Sequence, residues 1–169
     1  GEIIDYLISK FNRFVGDEVI RNIVGQRQMA LNFRQMMDRQ QILLVNLSKG
    51  IIGPENAQFL GLLLVQRLLI AALGRADVAA DQRPDFMLYV DEFQSFATEL
   101  FCTVLSEGRK YGLATVLANQ YLTQLEQPVR DAIFGNVGTC VSFRLGINDA
   151  QILAAEMYPT LDADDLVNL

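Results

Sequence analysis

Asp85-Phe86-Met87-Leu88-Tyr89-Val90-Asp91-Glu92-Phe93 is the stretch whose reading decides the fold. Phe86 to Val90 is an apolar run of strand length with aromatic and β-branched residues and no polar alternation. A run of that kind suits a strand covered on both faces, as in a parallel sheet under helices. It ends in two adjacent carboxylates, Asp91 and Glu92. In open α/β sheets ligands bind beyond the carboxyl ends of the strands, so acids placed there can serve a ligand. Equally, they can cap the next helix, whose start falls near Ser95 or Thr98.

Outward from this strand the pattern alternates. Ile42-Leu43-Leu44-Val45, inside Gln41 to Ser48, predicts a first strand. Leu113 to Ala118 predicts a third and Thr139 to Leu145 a fourth. Helices are expected over Glu55–Leu73, from about Thr98 to Lys110, over about Leu125–Phe134, and over Asp149–Met157 with Asn148 as N-cap. Pro54 opens the first of these and Pro128 sits in the first turn of the third, positions that tolerate proline. Gly74 to Pro84 reads as a surface loop, Pro159 as a helix stop, and Asp162, Asp164 and Asp165 as an acidic tail. Strands alternating with helices at these spacings give βαβ units, an α/β fold with a parallel sheet.

Residues 1–40 form a separate helical segment in this reading, packing on a core domain of residues 41–169. Its apolar stripes are Ile3, Ile4, Leu7 and Ile8, then Val19, Ile20, Ile23 and Val24, with breaks near Gly16 and Gly25. Arg27, Arg34, Gln35, Arg39 and Gln40, mixed with Met29, Leu31, Phe33 and Met36, suit a helical layer on a sheet or a DNA-contacting surface.

Composition removes several classes. The chain has 169 residues, 51% hydrophobic and 20% charged, which fits one packed domain. A net charge of −6 argues against a free-standing nucleic-acid binder, though not against DNA contact through a few loops lining a ring. Without histidine there is no Ser-His or Cys-His triad, and two cysteines alone make a zinc site improbable. Cys102 and Cys140 fall in an expected buried helix and strand, which suits a reducing, cytoplasmic compartment. Phe59 to Leu73, interrupted by Gln66 and Arg67, reads as a core helix and not a membrane span. No signal peptide is visible, and the chain starts inside a helical pattern, as an excised piece of something longer would.

The expected strand ends carry the chemistry. Asp91-Glu92 has the Walker B form, in which Asp91 holds Mg²⁺ through water and Glu92 orients or deprotonates an attacking water. Gln120, after the third strand, suits a water-holding or γ-phosphate-sensing amide; its plainer reading is a surface amide. Arg144, near the end of the fourth strand, can reach a phosphate or pair with a carboxylate. Arg109 lies on a helix that runs back to the opposite sheet edge, roughly 18 Å from the acids at 1.5 Å per residue. It can therefore act only in trans on a neighbour's nucleotide, or as a helix C-terminal cation. A Walker A loop is missing: in Ser48-Lys49-Gly50 the serine precedes the lysine and the glycine follows it.

Asn46-Leu47-Ser48-Lys49-Gly50, Tyr89-Val90-Asp91-Glu92-Phe93, Glu107-Gly108-Arg109-Lys110-Tyr111-Gly112 and Asn119 through Leu125 occur in this order. The set resembles the C-terminal half of the motor domain of VirD4/TraG/TraD-type conjugative coupling proteins and their HerA/FtsK-like relatives. The likeness runs from about Gln26 onward. It implies a RecA-like P-loop ATPase lacking its Walker A strand, part of an ATP-driven DNA translocase of conjugation or type IV secretion. By position, Asp91 and Glu92 match Walker B, Gln120 the sensor, Arg109 the finger supplied in trans, and Arg144 a second phosphate-facing arginine. The implied cofactors are ATP and Mg²⁺, with Asp91 and Gln120 binding them. The implied partners are DNA, further copies in a hexameric ring, and secretion-channel proteins. A membrane-attached N-terminal part is implied only for the complete protein. Without a phosphate-binding loop, this chain by itself should not hydrolyse ATP. The other reading is a non-catalytic RecA-like interaction module within a larger assembly.

Overall fold

The computed structural model describes residues 16–28 and 31–169. The expected stripe Ile3, Ile4, Leu7 and Ile8 lies outside them. The fold is mixed α/β, built on a two-stranded parallel sheet. Strand β1 (Phe86–Val90) pairs with β2 (Leu113–Leu117) in a register running from Phe86 opposite Leu113 to Val90 opposite Leu117. Eight helices are described: α1 (Glu18–Val24), α2 (Phe33–Asp38), α3 (Lys49–Ile52), α4 (Pro54–Leu73), α5 (Glu99–Glu107), α6 (Gln127–Asn136), α7 (Ile147–Met157) and α8 (Ala163–Val167). The expected βαβ unit is present as β1–α5–β2, with a 3₁₀ turn at Gly108–Tyr111 finishing the crossover.

The main core lies where α4 and α5 meet the sheet. Val65, Leu68, Leu69 and Ala72 of α4 pack with Phe101, Val104 and Leu105 of α5, with Phe33 and Met37 of α2 closing one side. The helix expected to be a core helix is one, although Ile70 and Leu73 reach solvent. By length and apolar content its stretch, Pro54–Asp77, is long enough to cross a membrane; here it packs the core. A smaller cluster, Ala150 and Leu153 of α7 with Leu166 of α8, forms a second centre of burial.

Two of the four expected strands do not form. Ile42-Leu43-Leu44-Val45 is irregular backbone, with Ile42 and Leu44 each 90% exposed. Thr139–Leu145 is likewise outside any sheet, with Val141 77% and Phe143 82% exposed. Both have strand composition, but a strand exists only when a neighbouring ladder takes up its N–H and C=O groups. Cys140 is consequently exposed and not in a buried strand, while Cys102 is half-buried in α5. In the second N-terminal stripe only Ile20 is buried; Val19, Ile23 and Val24 stay exposed.

Smaller corrections have local causes. Helix α7 starts at Ile147 with Gly146 at the N-cap, so Asn148 lies inside its first turn. The acidic tail is helix α8, begun by a reciprocal capping box: Asp162 Oδ1 accepts from Asp165 N at 2.9 Å, and Asp165 Oδ2 accepts from Asp162 N at 3.0 Å. The Gly74–Pro84 loop contains two 3₁₀ turns, Gly74–Asp77 and Ala80–Gln82, and holds a fully buried arginine, Arg75.

Arg75 fixes where both strands begin. Its guanidinium donates to the carbonyl of Tyr111 at 3.0 Å and to that of Pro84, and faces Asp38 of α2 at 3.4 Å. Pro84 precedes β1 and Tyr111 precedes β2, so one planar fork ties the two strand entrances to the end of α4. Burial pulls the Arg75 pKa down and the charge of Asp38 opposes it.

Candidate functional site

The two acids stand where the sheet ends, and the ladder outlasts β1 to hold them there. Ala118 N donates to Val90 O at 2.9 Å, and Phe93 N donates to Ala118 O at 3.0 Å. Phe93 itself is 1% exposed and meets the Phe101 ring edge-on at 4.6 Å between centroids. Burying such a ring contributes about 2 kcal/mol, which anchors the turn just beyond the acids. Phe96 adds a second anchor by lying close over Gly61 of α4, where any side chain would meet its ring.

Just before these anchors Glu92 takes a left-handed conformation, φ 51° and ψ 43°. For a residue with a Cβ this costs about 1–2 kcal/mol, so the surroundings must hold it. Three contacts do. Glu92 N donates to Asp91 Oδ1 at 2.9 Å, Gln94 Nε2 donates to Glu92 Oε2 at 2.5 Å, and Gln120 Nε2 donates to Glu92 Oε1 at 2.7 Å. The last of these crosses from the end of β2 to the end of β1. Both carboxylate oxygens of Glu92 are thereby fixed by amide donors. Gln94 Oε1 is buried at the same turn with no hydrogen-bond partner. Neither acid caps α5, whose N-cap is Thr98.

Of the residues singled out from sequence, the structure brings together Asp91, Glu92 and Gln120. Asp91 is exposed beside them. Arg144 is exposed on the Thr139–Leu145 segment, which is not a strand, so it is not aligned along the same sheet edge. Arg109 lies in the Gly108–Tyr111 turn before β2, at the sheet end opposite the acids. Among the described residues it has no ion-pair partner, whereas its neighbour Lys110 bonds Glu107 at 2.9 Å. That hydrogen bond, and then the charge of the same carboxylate, raise the Lys110 pKa.

Lys49, whose place after Ser48 rules out a Walker A loop, opens α3. Its Nζ donates to Ser95 Oγ at 2.9 Å, in the turn that follows Glu92. It is the one cation among the described residues lining a cleft of about 1170 Å³ between residues 40–49, α4 and the outer edge of β1. A sequence signal was present: Asn46 Oδ1 accepts from Ser48 N at 3.0 Å, the turn chemistry an Asn two residues before Ser announces.

Among the described residues no three His, Cys, Asp or Glu side chains are grouped to hold a metal ion by themselves. The acid pair suits a Mg²⁺ ion held partly by water and by phosphate oxygens, as magnesium usually is. The chain matches no family model, no curated protein and no solved structure.

Proposed function

We propose that the chain is the Walker B and sensor portion of a RecA-like ATPase that drives DNA translocation, of the conjugative coupling-protein kind. The observation that carries this reading is the Gln120–Glu92 hydrogen bond at 2.7 Å, which joins the ends of two adjacent parallel strands. A general base needs its carboxylate oriented before the water arrives, and Gln94 and Gln120 orient both oxygens of Glu92. Asp91, exposed at the same edge, is the residue to hold Mg²⁺ through water when Mg-ATP is bound. Gln120 then serves as the link between nucleotide state and β2. Arg109, at the far end of the sheet and without an ion-pair partner among the described residues, would then serve a neighbouring copy in a ring. The phosphate cradle must come from sequence beyond these residues, and the chain alone is inactive in this reading.

The test is nucleotide binding and turnover by the complete protein, wild type against Glu92→Gln, with and without DNA. Retained binding with a loss of DNA-stimulated turnover of about 100-fold or more supports the reading. If the wild-type protein neither binds nor hydrolyses nucleotide, the motor reading fails. The alternative, a non-catalytic interaction module, is favoured by one observation: among the described residues nothing pairs with the outer edge of β1, and Ile42 and Leu44 beside it are exposed.

A further inference from the structure

Among the described residues the sheet has an open edge, and Thr139 to Arg144 is an extended segment outside the sheet that fits it, tied down after Arg144 where Leu145 N donates to Leu166 O at 3.0 Å. In a parallel ladder alternate residues bond to opposite sides. Phe86 N donates to Gly112 O and Val90 O accepts from Ala118 N, so Phe86, Leu88 and Val90 bond towards β2. The N–H and C=O groups of Met87 and Tyr89 therefore point outward, into the cleft beside β1. The floor of that cleft is apolar, formed by Leu64, Val65 and Leu68 of α4. An open edge of this kind is a template for another extended chain.

Thr139-Cys140-Val141-Ser142-Phe143-Arg144-Leu145 has the required properties. It is non-helical and outside any sheet, and two of its three large apolar side chains, Val141 and Phe143, are 77% and 82% exposed, while Leu145 packs on the second cluster. We propose that this segment of a second copy lies parallel along the outer edge of β1, Thr139 opposite Phe86 and Arg144 opposite Asp91. Two independent features choose the same register. Val141 and Phe143 fall opposite Leu88 and Val90, on the half-buried face of β1 that packs on the core. Arg144 falls opposite Asp91, a charge match at the carboxyl end of the strand. A slip by one residue loses both at once, since it turns the apolar pair outward. Reciprocal exchange closes a dimer, and one-way exchange continues into longer assemblies. The inference does not depend on the nucleotide-site reading.

The register places Cys140 opposite Met87, and Cys140 is exposed. The test uses the full chain with Cys102→Ser, carrying Met87→Cys, treated with a short bis-maleimide, alongside sedimentation velocity over a concentration series. Expected is self-association with covalent dimers at least fivefold more abundant than for a control cysteine at Gln151 on α7. Phe143→Asp, at a position already exposed in the single chain, should reduce the dimers at least tenfold. Arg144→Asp should weaken association, and mixing it with an Asp91→Arg chain should restore it. A chain that stays monomeric without cross-linking overturns the proposal, as does a cross-link formed within one chain. Cross-linking that ignores both Phe143→Asp and Arg144→Asp marks unspecific adhesion and overturns it too.

Discussion

A Cβ on Gly112 would stand 3.1 Å from Nη1 of Arg75 and 3.2 Å from the carbonyl oxygen of Pro84. Gly112 also has φ +71°, a left-handed backbone that only glycine adopts without strain. The residue that leads into β2 and the arginine that ties both strand entrances therefore occupy one small space. Gly112→Ala combines the backbone strain with displacement of the guanidinium. It should destabilise the protein by about 1–3 kcal/mol, read from the urea midpoint.

Arg75 itself is completely buried, and its removal leaves the carbonyls of Pro84 and Tyr111 without their charged donor. Arg75→Met is expected to cost about 3 kcal/mol, most of it from the unpaired groups left behind. Arg75→Lys should recover less than half of that. A lysine carries one compact ammonium and cannot bridge two loops as a planar fork does. Equilibrium unfolding of both variants decides it, and full rescue by lysine would reduce Arg75 to a charge.

The N-cap of α1 supplies an acid-sensitive contact. Asp17 accepts from Ile20 N at 3.0 Å and from Asn56 Nδ2 at 2.7 Å, joining α1 to α4. The backbone bond first, then the Asn56 bond, lower its pKa from the ordinary 3.8. A lowered folded-state pKa means the contact is fully present above 3.8 and lost as pH falls through the lower folded value. The Ile20 amide should therefore lose protection in acid, at a midpoint under 3.8. Asp17→Asn, which still caps, should keep that amide protected to lower pH.

The two thiols should separate kinetically. Burial, the largest cause, raises the Cys102 pKa, and its Sγ faces the carbonyl of Thr98 at 3.7 Å. Thiolate is the reactive form, so a raised pKa and poor access both slow Cys102. At pH 8, iodoacetamide should modify the exposed Cys140 at least tenfold faster, as mass spectrometry of peptides would show. Equal rates would contradict the packing of α5.

The βαβ unit was legible because Phe86–Val90 and Leu113–Leu117 are short apolar runs set between turn residues. Ile42–Val45 is just as apolar, and Thr139–Leu145, with Val141, Phe143 and Leu145 at alternate positions, reads equally as a strand. What separates the two pairs is whether a hydrogen-bonded neighbour exists, and no property of a segment's own residues encodes that. The candidate site shows the same division. Asp91, Glu92 and Gln120 were visible as polar ends of apolar strands. Glu92's left-handed backbone, and the two amides that fix its oxygens, needed the turn to be built. Arg75 was hidden in a loop of ordinary surface composition, since only the path of Pro84 and Tyr111 around it makes it central. The Asp162–Asp165 cap escaped because two aspartates in a run of acids look like a solvated tail.

The division of the apolar interior into two clusters has a consequence for how the molecule opens. The second cluster buries three side chains, Ala150, Leu153 and Leu166, against thirteen in the main one. It is tethered to the rest by few contacts, among them Thr123 N to the buried Asp149 at 2.9 Å. Helices α7 and α8 should therefore unfold as a unit while the strands stay closed, a partial opening of lower free energy than the whole. In native-state hydrogen exchange the amides of Ala150 to Leu153 should exchange well before those of Leu88 and Val90. The α7–α8 segment at the carboxyl end would then be the part of the protein that breathes.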